Sequence, residues 1–199
     1  CYNEVHPAGV PTIDAINTYY GRGTLPIGIY QKELADPDPS DYFSLERDFD
    51  VDNMAHDPMD NIVGNAVGVY KHLLKDQPDN SVTIVSVGFL NNLYELLQDE
   101  EGYDLVEKKV KLLAVMGGLN NDGFNLVRHN LVEQSQYVIE NWPGTLVTTH
   151  VGGDMITGET LTSTTPIHNP VRRAYELEWY QGPHIGRSSW DQVTVLYTV

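Results

Sequence analysis

Three short segments of the sequence combine glycine with asparagine or aspartate, the residue types from which polar ligand sites are built. They are residues 88–92, 117–125 and 150–154. Each segment follows an apolar, β-branched run that predicts a buried strand. Ligand sites in parallel α/β sheets form beside the carboxyl ends of the strands. The three segments therefore predict a polar cleft at that edge of the sheet, of a kind that many α/β proteins share.

The sequence lacks the motifs or the composition that several other kinds of site require. The sequence contains no His-Glu-x-x-His zinc motif, no Gly-x-Ser-x-Gly elbow and no phosphate-binding loop. Its single cysteine, Cys1, excludes an internal disulfide and a thiolate metal site. The 12 basic and 28 acidic side chains give a net charge of −16, which argues against nucleic acid as a partner. No apolar run approaches the roughly 20 residues that span a bilayer, so we expect no membrane partner.

Hydrophobic periodicity predicts the elements that carry the cleft. Apolar runs predict strands at 25–30, 81–88, 110–118 and 146–151. Helical spacing predicts helices at 12–20, 62–73, 90–98, 103–109, 132–141 and 169–177. This alternation indicates one α/β domain over residues 1–199, with a mainly parallel central sheet and helices on both faces.

Residues 31–60 predict a long acidic surface loop, because Asp36-Pro-Asp-Pro39 is turn chemistry and a run of acids follows it. The spacing of the acidic residues from Asp48 to Asp60 resembles that of a calcium-binding loop. However, Asn53 stands where such a loop needs glycine, and Met59 stands where it needs glutamate. A solvated acidic loop is therefore the favoured interpretation over a metal site.

Five motifs, spread in order over nearly the whole chain, resemble the inosine–uridine-type nucleoside hydrolase family. In chain order they are Ile13–Gly28 with Tyr19-Tyr-Gly-Arg22, Ser81–Leu93, Val115-Met-Gly-Gly118, Gly123-Phe-Asn125, and Asn169–Tyr175 with Gly186–Asp191. The resemblance implies the family's Rossmann-like α/β fold. It also implies the family's reaction, hydrolysis of the N-glycosidic bond between ribose and a base.

The resemblance also implies a set of site residues. The reaction passes through an oxocarbenium-like transition state, for which the family uses a carboxylate base and a calcium ion that holds both the water and the sugar diol. By resemblance, the Asp191 carboxylate and the Asn91 backbone carbonyl are calcium ligands, while Met116 and Asn125 contact the ribose. The implied cofactor is calcium, and the implied ligand is a ribonucleoside or another small sugar.

Two departures from the family's pattern bear on activity. The Asp-rich amino-terminal motif, which supplies the other metal carboxylates and the catalytic base, is not among these 199 residues, so the sequence identifies no catalytic residue. The family's Glu before Phe-Asn is Gly123 here, and His129 and His150 stand near positions where acids are expected. Calcium takes about 6–8 oxygen ligands. We therefore expect calcium binding only if the Asp-rich segment is supplied, and no catalysis by this chain alone.

The candidate site residues also have structural interpretations. Asp191 and Asn91 could cap helices, Met116 could pack in the core, and Asn125 could belong to a turn. The tryptophans of the chain are expected to pack in the core: Trp142, Trp179 and Trp190.

Two other functions stay open, because a fold alone does not fix function. The chain could be a degenerate relative that binds a ligand without hydrolysis, or a structural or assembly protein. If this chain is complete, the fold is expected to be incomplete at both ends, because it lacks its first strand and its closing helices. That would leave an open sheet edge. We therefore expect association, as a homo-oligomer or with another segment of a longer precursor.

Overall fold

The computed structural model describes residues 1–4, 9–35, 63–118, 124–176 and 185–199. These residues form a mixed α/β structure, and none of their helices is long and apolar enough to cross a membrane. The strands are β1 (Ile27–Ile29), β2 (Val63–Asn65), β3 (Val82–Ser86), β4 (Val110–Met116), β5 (Leu146–Thr149), β6 (Ile156–Thr157) and β7 (Arg187–Ser188). The helices are α1 (Gly9–Tyr19), α2 (Ala66–Lys75), α3 (Asn91–Gln98), α4 (Glu100–Lys109), α5 (Val132–Asn141), α6 (Leu161–Thr164), α7 (Pro170–Glu176) and α8 (Trp190–Tyr197).

The largest sheet is parallel and has the order β3-β4-β5. Ile84 pairs with Leu113, and Leu113 pairs with Leu146. The predicted strands at 81–88, 110–118 and 146–151 are thus confirmed, each somewhat shorter than the apolar run that predicts it. Within the described residues, β3 and β5 are the two edges of this sheet.

The remaining strands form two smaller sheets instead of extending the first. β1 and β2 pair in parallel, and β6 pairs with β7 in the antiparallel direction. Tyr2 adds a parallel bridge to Ile29, at the side of β1 away from β2. The α/β class and the parallel pairing are confirmed, whereas the described strands fall into three small sheets and not one central sheet.

Helices cover both faces of the sheet β3-β4-β5, because the side chains of β4 alternate between two packed surfaces. Leu113 and Val115 belong to an apolar core that includes Leu93 and Leu96 of α3 and Val138 of α5. The side chain of Met116 lies on the other face of β4. Met116 pairs with Thr149 of β5, and the Thr149 hydroxyl contacts the Thr194 hydroxyl of α8. Helix α8 therefore packs on the second face.

The helix predicted from residue 62 begins four residues later than its apolar spacing suggests. Val63–Asn65 is strand β2, and the Asn65 side chain then caps α2 by accepting a hydrogen bond from the Val67 amide at 2.8 Å. The buried face also differs, because Leu74 is buried whereas Leu73 is 42 % exposed. Pairing with β1 and the asparagine cap together decide where this helix starts.

The predicted acidic loop at 31–60 is described only over residues 31–35. These residues form neither helix nor strand, and most of them are exposed. The rest of the predicted loop, including Asp48–Asp60, lies outside the described residues.

Asp99 caps the amino terminus of α4 and joins this helix to α2. Its carboxylate accepts a hydrogen bond from the Gly102 amide at 2.8 Å and two from the Lys71 ammonium at 3.0 Å. These contacts hold the pKa of Asp99 below its ordinary value of 3.8, with Lys71 the larger cause. The contribution of Asp99 to stability is therefore fully present above about pH 4 and is lost as the pH falls through the lowered pKa of the folded state.

We expect Asp99→Ala to lower the free energy of unfolding by about 1 kcal/mol near pH 7, because the first turn of α4 loses its cap. The loss should shrink in acid, where the native carboxyl group becomes protonated. Urea unfolding at neutral and acidic pH measures both effects, with Asp104→Ala at an exposed position of the same helix as the control. Equal losses for the two variants would contradict the prediction.

Candidate functional site

A cavity of about 250 Å³ opens beside the carboxyl ends of β3 and β4. It brings together three residues that the sequence places far apart, Met116, Asn125 and Asp191. The other wall residues are Val87, Phe124, Arg187 and Trp190. The cavity therefore lies where a parallel sheet is expected to bind a ligand.

The floor of this cavity is formed by Met116 and Asn125. Met116 is the last residue of β4, and the buried Asn125 comes from the segment after that strand. The Asn125 amide nitrogen donates a hydrogen bond to the Met116 backbone carbonyl at 3.0 Å and lies 3.0 Å from the Met116 sulfur. Asn125 thus fixes the position of its own segment against the strand end and also lines the cavity.

Asp191 lies in the first turn of α8, where a negative charge is favourable beside the amino terminus of the helix. The capping position is Ser189 and not Asp191, so the simple capping interpretation of Asp191 is wrong. Although the residue as a whole is exposed, partial burial of its carboxyl group raises the pKa of Asp191, and the positive charge of Arg187 opposes that rise. A carboxyl group with a raised pKa in a cavity is a candidate for proton transfer.

Helix α8 is held over the sheet by hydroxyl groups of two buried or half-buried threonines. The Thr149 hydroxyl at the end of β5 contacts the Thr194 hydroxyl, which donates a hydrogen bond to the Trp190 carbonyl at 3.1 Å. Because Thr194 is fully buried, this link joins the strand end to the first turn of the helix. The same turn carries Asp191.

Gly152, in the loop after β5, allows the start of α8 to approach closely. Its carbonyl accepts a hydrogen bond from the Ser189 amide at 3.0 Å. Its φ is +108°, and a Cβ at this position would lie 2.8 Å from the Ser189 carbonyl oxygen and 2.9 Å from the Trp190 Cα. Any other residue would therefore be strained here and would push α8 away from the cavity.

A second cavity of about 330 Å³ adjoins the first and shares the wall formed by Val87, Phe124 and Asn125. Its polar side chains include Asn3, Glu4 and Arg128. The remaining lining residues are Cys1, Tyr2, Ile13, Gly88 and Phe89. We call the two cavities together the cleft.

Asn91, the other predicted calcium ligand, lines neither cavity, and its side chain is occupied by structural hydrogen bonds. Its amide oxygen accepts from the Asn3 side chain at 2.8 Å and from the Asn92 backbone at 3.0 Å. Its amide nitrogen donates to the Asn3 carbonyl at 2.9 Å. The Asn92 side chain donates in the same way to the Tyr2 carbonyl at 2.9 Å. We call Asn3, Asn91 and Asn92 the amide clamp.

The donor set of the described residues does not suit calcium. Asp191 supplies a carboxylate, and Asn91, whose backbone carbonyl would be the second donor, stands outside the cavity that contains Asp191. Calcium needs about 6–8 oxygen ligands, and the described part of the chain holds no group of three His, Cys, Asp or Glu side chains that could bind a metal. These residues would form a calcium site only together with further carboxylates.

Several cleft residues were not predicted as site residues. Trp190, expected in the core, is 36 % exposed and lines the first cavity, with the Arg187 guanidinium 6.0 Å from its ring. Phe124 is 43 % exposed, and the Arg128 guanidinium lies 4.7 Å from its ring. The sequence offered one sign of these two aromatic residues, because each directly precedes a predicted site residue. Phe124 precedes Asn125, and Trp190 precedes Asp191. Trp142 is buried in the core as expected, and Trp179 lies outside the described residues.

We expect Gly152→Ala to lower the free energy of unfolding by about 1–3 kcal/mol, because a side chain at φ +108° is strained and collides with the start of α8. Gly68→Ala is the matched control, because a Cβ there meets nothing within 4 Å. In the interior of α2 this change should raise stability by up to about 1 kcal/mol. Urea unfolding measures both, and a Gly152→Ala variant as stable as the parent would overturn the prediction.

Comparison with known proteins gives no relative for this chain. No protein-family model, no curated protein and no solved structure matches it. The resemblance to nucleoside hydrolases is therefore still a prediction from the sequence motifs. What the cleft binds has to be inferred from its own residues.

Proposed function

We propose that the chain is a nucleoside hydrolase-like protein whose cleft binds a ribonucleoside or another small sugar ligand. One observation carries the proposal, namely that Met116, Asn125 and Asp191 line the same cavity. The resemblance implies that Met116 and Asn125 contact the ribose and that Asp191 is a calcium ligand. Met116 ends a strand, Asn125 lies in the segment after that strand, and Asp191 lies in a helix much later in the chain. Their meeting in one cavity is what a ligand site at the strand ends of a parallel sheet requires.

The chemistry of the walls supports a ligand that is part polyol and part ring. Sugar hydroxyl groups both donate and accept hydrogen bonds, and the first cavity offers the Asn125 amide and the Asp191 carboxylate. The half-exposed rings of Phe124 and Trp190 offer apolar faces to a planar base. A few polar groups among apolar and aromatic walls are typical of small-molecule sites.

The family reaction is hydrolysis of the N-glycosidic bond by a calcium-bound water. The described residues bring one carboxylate, that of Asp191, to the first cavity, and the calcium ligands would have to be completed from elsewhere. The proposal for this chain by itself is therefore binding without turnover. In the presence of a segment that supplies the missing carboxylates, Asp191 would complete the metal ligands and the cleft residues would hold the ribose.

Calorimetric titration with inosine and uridine tests the proposal. We expect saturable binding and no release of free base, and a loss of affinity of about tenfold or more for Asp191→Asn, because a hydrogen bond to a charged group is removed. Asp104→Asn, an exposed acid on α4, is the control for the change in net charge. Absence of binding to either nucleoside at millimolar concentration would refute the proposal.

Association with a second copy, or with another segment of a longer precursor, is still a prediction. It is motivated by the edge strands β3 and β5, which pair with no further strand among the described residues. Light scattering after size-exclusion chromatography measures the mass in solution. A mass above 22.3 kDa is expected for a homo-oligomer, and a monomer that stays monomeric at high concentration would contradict it. Ordered assembly without nucleoside binding would favour the structural or assembly alternative.

A further inference from the structure

We propose that Glu4 is a ligand-binding residue, whose carboxylate accepts a hydrogen bond from a donor group of the ligand in the second cavity. The inference rests on the proposed function, because it assumes that the cleft binds a nucleoside or a related sugar. No motif of the sequence points to Glu4. It is the only acidic side chain among the described residues that line this cavity.

The segment before Glu4 is held on two sides, so that the carboxylate has a defined position. On one side the Tyr2 amide donates to the Gly28 carbonyl at 2.7 Å, and the Tyr30 amide donates to the Tyr2 carbonyl at 3.0 Å. On the other side the amide clamp binds the carbonyls of Tyr2 and Asn3. A side chain on a fixed backbone loses less conformational entropy when it binds a ligand.

The side chains of Arg128 and His129 lie next to the Glu4 carboxylate. Its Oε1 is 3.6 Å from the His129 Nε2, and the His129 side chain is buried, with its ring centroid 4.9 Å from that of Phe89. The charge of Glu4 also acts on Arg128, where it opposes the lowering of the guanidinium pKa by burial. The Glu4 side chain is 20 % exposed. It therefore lies at the cavity wall with its charge compensated by the protein.

A ligand bound at Asn125 adjoins both cavities, because Val87, Phe124 and Asn125 line the first and the second cavity alike. An ionised carboxylate can only accept hydrogen bonds, so it selects a ligand with a donor at that point. Two donors of a nucleoside meet this need, a ribose hydroxyl and an N–H of the base. A ligand without the donor would lose this hydrogen bond to a charged group, which costs affinity.

Calorimetric titration of the whole chain and of Glu4→Gln with a matched ligand series tests the inference. We expect Glu4→Gln to weaken the binding of inosine or uridine about tenfold or more. Glu95→Gln is the matched control, because the Glu95 side chain is similarly exposed, at 22 %, pairs with Lys32 and lies outside the cleft. Its ligand affinity should equal that of the parent chain.

The ligand series distinguishes the two donors. If Glu4 binds a ribose hydroxyl, then 2′-deoxy, 3′-deoxy or 5′-deoxy nucleosides should bind the parent chain more weakly. The analogue that lacks the relevant hydroxyl should bind Glu4→Gln and the parent equally. If Glu4 binds the base, the same convergence should appear with an analogue whose base lacks the N–H donor. Thermal unfolding of each variant confirms that the fold is intact.

The possible outcomes separate the two proposals. If the parent chain binds no nucleoside, the proposed function fails and this inference fails with it. If the parent binds nucleosides and Glu4→Gln binds them equally well, the role of Glu4 is overturned while the cleft keeps its function. If Glu4→Gln does not fold, the affinities of the parent chain for the ligand series still test the inference. Equal affinity of the parent chain for every analogue would overturn it.

Discussion

The amide clamp is the interaction on which the arrangement of the cleft depends. Residues 1–4 run between β1 and the loop that follows β3, and backbone hydrogen bonds typical of a sheet join Tyr2 to the β1 side. On the other side the bonds come from side chains, since Asn91 and Asn92 donate to backbone carbonyls of the segment and Asn3 donates to the Phe89 carbonyl at 2.8 Å. Because Asn91 and Asn92 are buried, each lost partner would leave an unsatisfied polar group, at a cost of about 1–3 kcal/mol.

A second set of polar links fixes the opposite wall of the cleft. Thr149, Thr194 and the Gly152 carbonyl attach the first turn of α8 to the end of β5. The two walls are thus held by short polar contacts at strand ends, while the apolar core beneath them packs α3 and α5 against β4. Such a division is usual in α/β proteins, in which the packed elements provide stability and the connecting segments provide the site.

The sequence predicts the elements well where burial decides them. The helix predicted at 132–141 is α5 with the same bounds, and the apolar runs locate β3, β4 and β5, because strands covered on both faces are continuously hydrophobic. The start of α2 was misplaced because hydrophobic periodicity contains no information about the Asn65 cap or about the pairing of β2 with β1. The division into small sheets was missed for a related reason, since strand pairing is set by contacts between distant segments.

The residues that line the candidate site were predictable in part, and the omissions share a physical cause. Motifs located Met116, Asn125 and Asp191, which meet in one cavity, but the side chain of Asn91 serves the amide clamp and lines neither cavity. Trp190 was expected in the core because a large aromatic side chain has the same pattern whether it packs against other residues or lines a cavity. No sequence motif pointed to Glu4, because its position in the cleft depends on hydrogen bonds between residues about 90 positions apart.

The charges of the cleft are balanced in pairs, which bears on what it can bind. Glu4 lies beside Arg128 at the second cavity, and Asp191 lies near Arg187 at the first. The whole chain carries a net charge of −16, which disfavours the approach of an anionic ligand. The two guanidinium groups do not offset this repulsion, because each already has a carboxylate within reach of its charge. An uncharged ligand feels no such repulsion and can still accept hydrogen bonds from the guanidinium groups and donate to the carboxylates. The electrostatics of the cleft therefore favour a neutral, hydroxyl-bearing molecule over a phosphorylated one.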